Sequence, residues 1–163
     1  MHHNLSSIEP VDAAMAWLSA FERAAATYNA EAVAGLFADD SHWRDLVAFT
    51  WHIRTFSSRD AIKQAFARAM TATKPRNFCI PDGRTPPRVV TRAGTKCIEA
   101  IFTFETECGR GSGILRLIPS QADGAQLACW VLLTTLDEIK GHEEQIGARR
   151  PRGARRPCGA GAS

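Results

Sequence analysis

No apolar run in the 163 residues approaches the roughly 20 residues that cross a bilayer, so no membrane-spanning segment is expected. The opening Met1-His2-His3-Asn4-Leu5-Ser6-Ser7 has neither the basic flank nor the apolar stretch of a secretory leader. The expected address is the cytoplasm. Cysteine is scarce and unpatterned: there are five, an odd number, with no C-x-x-C. That speaks against a zinc knuckle, a redox dithiol or a disulfide framework, and for a reduced compartment. Cys79, Cys97 and Cys129 stand in apolar surroundings, where a cysteine behaves as a small hydrophobe. His42 and His52 form no H-x-x-x-H or H-x-H pattern and have no second acid at ligand spacing, so no metal site is expected. No acidic residue follows Glu144, whereas Arg149, Arg150, Arg152, Arg155 and Arg156 do. These five account for the positive balance of the chain, so a nucleic-acid-binding domain is not indicated.

What remains is an ordinary globular composition, 45% hydrophobic and 23% charged, and a length that suits one domain of roughly 100–200 residues. Residues 1–9 read as a loose N-terminus. From Pro10, which suits a first helical turn, Val11, Ala14, Met15, Leu18, Phe21, Ala25 and Tyr28 recur at three- and four-residue steps, one face of a helix. Asn29 caps a second, short helix carrying Ala32, Val33, Leu36 and Phe37, which Asp39-Asp40-Ser41 stops. Trp43–Phe56, rich in aromatic and β-branched residues, reads as extended. A capping box at Ser57 with Asp60 opens a third helix with Ile62, Ala65, Phe66, Ala69 and Met70 on one face, ended by Lys74-Pro75.

The rest reads as β: Asn77–Pro81, Arg88–Arg92, Lys96–Glu107, Ser112–Pro119 and Gln126–Leu136, separated by Gly-containing turns. Helices on one face of an antiparallel sheet make an α+β domain; a sheet curled around the first helix leaves a conical pocket. The later strands are apolar on both faces. Ile98, Phe102 and Phe104 alternate with Ile101; Leu115 and Leu117 alternate with Ile114 and Ile118. One face covers the helices, and the other predicts a homodimer, since monomers rarely expose so large an apolar patch. Arg116 interrupts that second face. Facing inward it needs Asp45 or Glu99 as partner; facing outward, the favoured reading, it is a solvated residue of the dimer face. From Gly147 the chain is Gly, Ala, Arg and Pro without period, a composition that does not order itself.

This order of elements, with Phe37-Ala38-Asp39-Asp40 leading into Trp43-Arg44-Asp45, resembles the nuclear transport factor 2-like superfamily of ketosteroid isomerases, SnoaL-like polyketide cyclases and ligand-binding or accessory domains. The resemblance covers roughly residues 10–140 and implies a cone-shaped, curved antiparallel sheet packed against three N-terminal helices, often dimeric through the sheet. Residues 141–163 are then a basic Gly/Arg/Pro tail. Trp43-Arg44-Asp45-Leu46, Thr50-Trp51 and Thr55 also look like the N-terminal extension of a group of flavin-containing monooxygenases. So do Gly141-His142-Glu143-Glu144, Gly147, Arg150-Pro151 and Gly153, which in that group lead to a flavin domain. No G-x-G-x-x-G follows a strand here. Gly109-Arg110-Gly111-Ser112-Gly113 opens a strand rather than a helix, so no flavin or nicotinamide cofactor is expected.

Asp45 resembles the general base of the isomerases. A carboxylate in an apolar pocket takes a proton beside a carbonyl, but the reaction also needs donors for the oxyanion. The position of the family's tyrosine falls on Phe21, and that of its second acid near Gly113 or Ile114. Structural pairing of Asp45 is the alternative. Trp43, Trp51 and Trp130, with Phe21 and Tyr28, either line a pocket for a small apolar molecule or fill the core. Two functions follow. The first is an accessory domain, related to the flavin monooxygenases, that binds a small apolar ligand or dimerises without catalysing on its own. The second is a small isomerase, cyclase or dehydratase with Asp45 as base.

Overall fold

The structure, a computed structural model, describes residues 5–142; the expected basic tail lies almost wholly outside the described residues, as does most of the linker motif from Gly141 to Gly153. Helix α1 (Pro10–Ala26) starts with Pro10 in its first turn and buries Ala14, Trp17, Leu18, Phe21, Ala24 and Ala25. The stripe is therefore rotated from the expected one. Trp17 is inside and donates its indole N–H to the Leu36 carbonyl at 2.9 Å, whereas Val11 and Met15 lie exposed on the flank. Helix α2 (Ala30–Gly35) is capped by Asn29, whose side chain accepts from the Ala32 N–H. Helix α3 (Arg59–Thr73) is capped by Ser58, one residue later than expected, while Ser57 stays on a strand and bonds His42.

Strand β1 (Phe37–Leu46) starts six residues before the expected extended segment. Asp39-Asp40-Ser41, expected to be a helix stop, is strand instead; it spans the irregularity between the Phe37–Cys129 and His42–Val131 pairs that β1 makes with its parallel neighbour β7 (Leu127–Ile139). Strand β2 (Ile53–Ser57) pairs antiparallel with β1. After α3 come β3 (Arg76–Cys79), β4 (Arg88–Arg92), β5 (Thr95–Glu105) and β6 (Gly109–Pro119). The strand order is β2-β1-β7-β6-β5-β3, with β4 also on β5. The fold is thus α+β with a curved sheet, as expected, but the sheet is mixed rather than wholly antiparallel.

Alternation fixes the two faces of this sheet. Trp43 and Asp45 of β1, Leu132 and Thr134 of β7, Leu115 and Leu117 of β6, and Ile98, Phe102 and Phe104 of β5 are buried on the face that the helices cover. Arg44, Leu133, Ile114 and Ile101, directly paired in that order across four strands, lie on the other face. Residues 5–9, expected to be loose, are folded onto the domain: Leu5–Ser7 is a single 3-10 turn, Leu5 is buried, and Ile8 packs against the core.

Candidate functional site

Asp45 is fully buried at the end of β1. Five hydrogen bonds converge on its carboxylate. The Phe49 N–H donates to both oxygens (3.2 and 3.1 Å), the Thr50 N–H and hydroxyl both donate to Oδ2 (2.8 Å each), and the Thr134 hydroxyl donates to Oδ1 at 2.7 Å. Thr134 in turn accepts from the Trp43 indole N–H at 2.9 Å. No cation takes part; peptide N–H groups and hydroxyls hold the charge, which hydrogen bonding can do in a buried site.

These bonds pin the turn between β1 and β2. Val47 and Trp51 in that turn have left-handed backbones, φ 59° and 57°, which a β-branched or bulky residue adopts only when its surroundings impose it. Asp45 supplies the constraint from one side. The Val47 N–H, bonded to the His52 carbonyl at 3.1 Å, closes the turn from the other.

Asp45 is enclosed, and its neighbours Trp43 and Phe49 belong to an aromatic cluster. Trp43 stacks on Phe66 with centroids 4.0 Å apart, and Phe49 meets Trp43, Phe66 and Phe104 at 5.4–5.5 Å. Phe21, where the isomerase resemblance puts a tyrosine, packs against Trp17, Phe66 and Phe78. Gly113, near the place of the second acid, lies under a ring: a Cβ built there would fall 2.4 Å from Phe102 Cζ. The other residues expected to line a pocket do not converge. Trp51 and Tyr28 are exposed, and Trp130 is half-buried at a bulge where β6 and β7 shift register.

A cavity of about 320 Å³ opens instead on the flank of the cone. Phe49, Thr50 and His52 of the pinned turn form one wall, Arg54 and Phe56 of β2 a second, and Ala65, Arg68 and Ala69 of α3 the third. The sequence builds this space simply. Arg54 pairs directly with Asp45, so Arg54 and, two residues on, Phe56 share the face that looks at α3. On α3, Ala65 and Ala69 stand one helical turn apart and leave room that longer side chains would fill. Period-2 and period-3.6 patterns each place these residues separately; only the packing of β2 against α3 brings them together, so sequence reasoning missed the site.

A cluster of paired charges lies on the other side of the sheet. On the uncovered face Glu99 accepts from Arg92 (2.9 and 2.7 Å) and from Arg116 Nε (2.9 Å), with Arg88 at 3.5 Å. Hydrogen bonds from Arg92, against the opposing effect of burial and with further help from Arg116, lower the Glu99 carboxyl to about 2. Arg116 therefore lies on the outward face but is paired, not merely solvated. Cys97 and Cys129 are buried thiols whose pKa values burial raises, whereas Cys79 is exposed and bonds Thr103, contrary to its expected apolar setting. Among the described residues no group of three His, Cys, Asp or Glu side chains gathers in a metal-binding arrangement, and no helix is long and apolar enough to cross a membrane.

No protein-family model matches this sequence, and no curated protein matches it. Solved structures do. A Novosphingobium aromaticivorans protein described as NTF2-like with a cystatin-like fold aligns at 15% identity over 81% of this chain and 84% of its own, TM-score 0.53. The chain has the nuclear transport factor 2-like fold. Two other structures show the same likeness. An uncharacterised Caulobacter vibrioides protein with a cystatin-like fold aligns at 16% identity, 80% and 92% coverage and TM-score 0.60. A Streptomyces avermitilis member of the NTF2-like family, provisionally named a dehydratase, aligns at 12% identity, 78% and 96% coverage and TM-score 0.53. At these identities the likeness is one of fold. The resemblance to flavin-containing monooxygenases rests on the sequence motifs alone.

Proposed function

We propose that this nuclear transport factor 2-like chain is a ligand-binding and assembling domain rather than an enzyme that uses Asp45 as its base. The observation that carries the proposal is the saturated Asp45 carboxylate. A general base needs a lone pair aimed at the proton it takes and a substrate within hydrogen-bond reach. Both Asp45 oxygens already accept from turn and strand donors, and the residue is fully buried. Asp45 then acts by holding the Phe49–His52 wall of the flank cavity, and that cavity takes the apolar part of a small ligand.

The test compares wild type with Asp45→Asn in thermal melts and in a proton-exchange assay on a simple cyclic ketone. The expected result is a destabilised variant and no exchange at the ketone's α-carbon by either protein. Exchange by wild type and not by a folded Asp45→Asn would establish the competing isomerase-type reading.

A second reading, assembly as a homodimer, has its own observation. Leu133, Ile114 and Ile101 form an uninterrupted apolar row across β7, β6 and β5 on the face the helices leave uncovered. This fold therefore offers one face for a partner copy and a separate flank for a ligand.

A further inference from the structure

We infer that the flank cavity takes a small amphiphilic anion, an apolar chain or ring carrying one carboxylate head. This inference rests on the ligand-binding reading above and adds the charge of the ligand. The lining divides into two chemical halves. Phe49, Phe56, Ala65 and Ala69 make an apolar floor, and Arg54, Arg68 and His52 stand around it without any acidic residue among the lining side chains.

The two arginines are alike in what they lack. Arg59, Arg76, Arg88, Arg92, Arg110 and Arg116 each pair with a carboxylate. Among the described residues neither Arg54 nor Arg68 has a side-chain hydrogen-bond or ion-pair partner. Arg23, Arg44 and Arg84 share that state, but none of them lines this cavity, and the cavity that Arg84 lines also carries Glu105, Asp137 and Glu138. The residue paired with Arg54 across the strands is a carboxylate, Asp45. The Asp45 oxygens, however, are turned to Phe49, Thr50 and Thr134. Two guanidiniums, one on β2 and one on α3, therefore flank one opening with their donors unused. A guanidinium fork matches a carboxylate with two parallel N–H donors, and the apolar floor supplies the remaining affinity by burying the ligand's hydrocarbon. The cavity stands at the small end of the ~300–1,000 Å³ usual for small-molecule sites, which suits a short chain or a single ring.

The experiment is a calorimetric titration of the full chain with octanoate, octan-1-ol and octylamine, repeated with the Arg54→Gln/Arg68→Gln pair and with Ala69→Leu. Octanoate should bind about tenfold more tightly than octan-1-ol, with the protonated amine weakest. The double variant should bring octanoate to the level of the alcohol, and raised salt should narrow the same gap. Ala69→Leu fills the floor and should remove binding of all three. Because Arg54 and Arg68 are exposed and unbonded, the double variant keeps the fold, and circular dichroism checks this. Equal binding of octanoate and octan-1-ol, unmoved by the double variant, would overturn the anion assignment while leaving the ligand-binding reading intact. No binding of any of the three up to their solubility limits would overturn both. Octanoate binding that survives Ala69→Leu would place the ligand elsewhere and overturn the assignment.

Discussion

At the scale of single residues, the two buried carboxylates on the sheet are held by different chemistry, and their variants should behave differently. Asp45 accepts from donors only, so the amide nitrogen of Asp45→Asn would be forced against an N–H or hydroxyl donor. Leaving buried donors unmet costs about 1–3 kcal/mol each, and Asp45→Asn should lower stability by roughly 2–4 kcal/mol, read by chemical denaturation. Glu99 is held by guanidiniums. Its pKa, about 2 against an ordinary 4.5, is depressed in the folded state. Its stabilisation is therefore complete above about pH 4.5 and is lost as pH falls toward 2. With the guanidiniums partly exposed and screened, this contribution is on the order of 2 kcal/mol. Glu99→Gln should be destabilised near neutral pH and should lose less further stability than wild type between pH 4.5 and 2. Parallel acid-unfolding curves would count against this assignment.

At the scale of elements, β6 shows why glycine can sit inside a strand. Gly111 and Gly113 alternate on the buried face and give Phe104 and Phe102 of the neighbouring strand room to lie over the β6 backbone. A Cβ on Gly113 would meet the Leu133 carbonyl oxygen at 2.2 Å as well as the Phe102 ring. The carbonyl cannot move without breaking the ladder, so Gly113→Ala should cost roughly 2–4 kcal/mol, well beyond a typical strand substitution. A melt within a degree or two of wild type would show that β6 shifts more easily than its packing implies. This Gly-rich stretch opens a strand, as its sequence setting indicated, and does not provide a phosphate-cradling loop into a helix. Boundaries were less legible. β1 reaches back to Phe37 by pairing with Cys129 of β7, a partner far off in sequence that no local pattern reveals; the Asp45–Thr134 separation of 89 residues makes the distance concrete.

At the scale of the whole molecule, the sheet separates two surfaces. The helix side is packed with aromatic rings and carries the flank cavity. The other side carries the apolar row of Leu133, Ile114 and Ile101 beside the Glu99 arginine cluster. If that side is an interface between copies, light scattering at micromolar concentration should give twice the mass of the 17.8 kDa chain. Ile114→Glu should give a folded monomer, because an outward charge in the middle of the row cannot be desolvated without a partner. A wild-type monomer mass would refute the dimer without touching the ligand-binding flank.

The sequence alone carried the α+β class, the three helices, most strands and the likeness to the nuclear transport factor 2-like fold. These follow from local periodicity, capping residues and turn chemistry, which need no knowledge of what packs where. It also put Phe21, and Gly113 or Ile114, none of which carries a side-chain donor, where the isomerase resemblance expects one. It did not show that Asp45 is spent on its own turn, because those hydrogen bonds depend on the left-handed path of residues 47–51 and on Thr134 from a distant strand. Nor did it show the flank cavity. Arg54 and Arg68 are unremarked charges on a strand and a helix until the fold sets β2 against α3. That juxtaposition is a matter of tertiary packing, and no local pattern in the sequence encodes it.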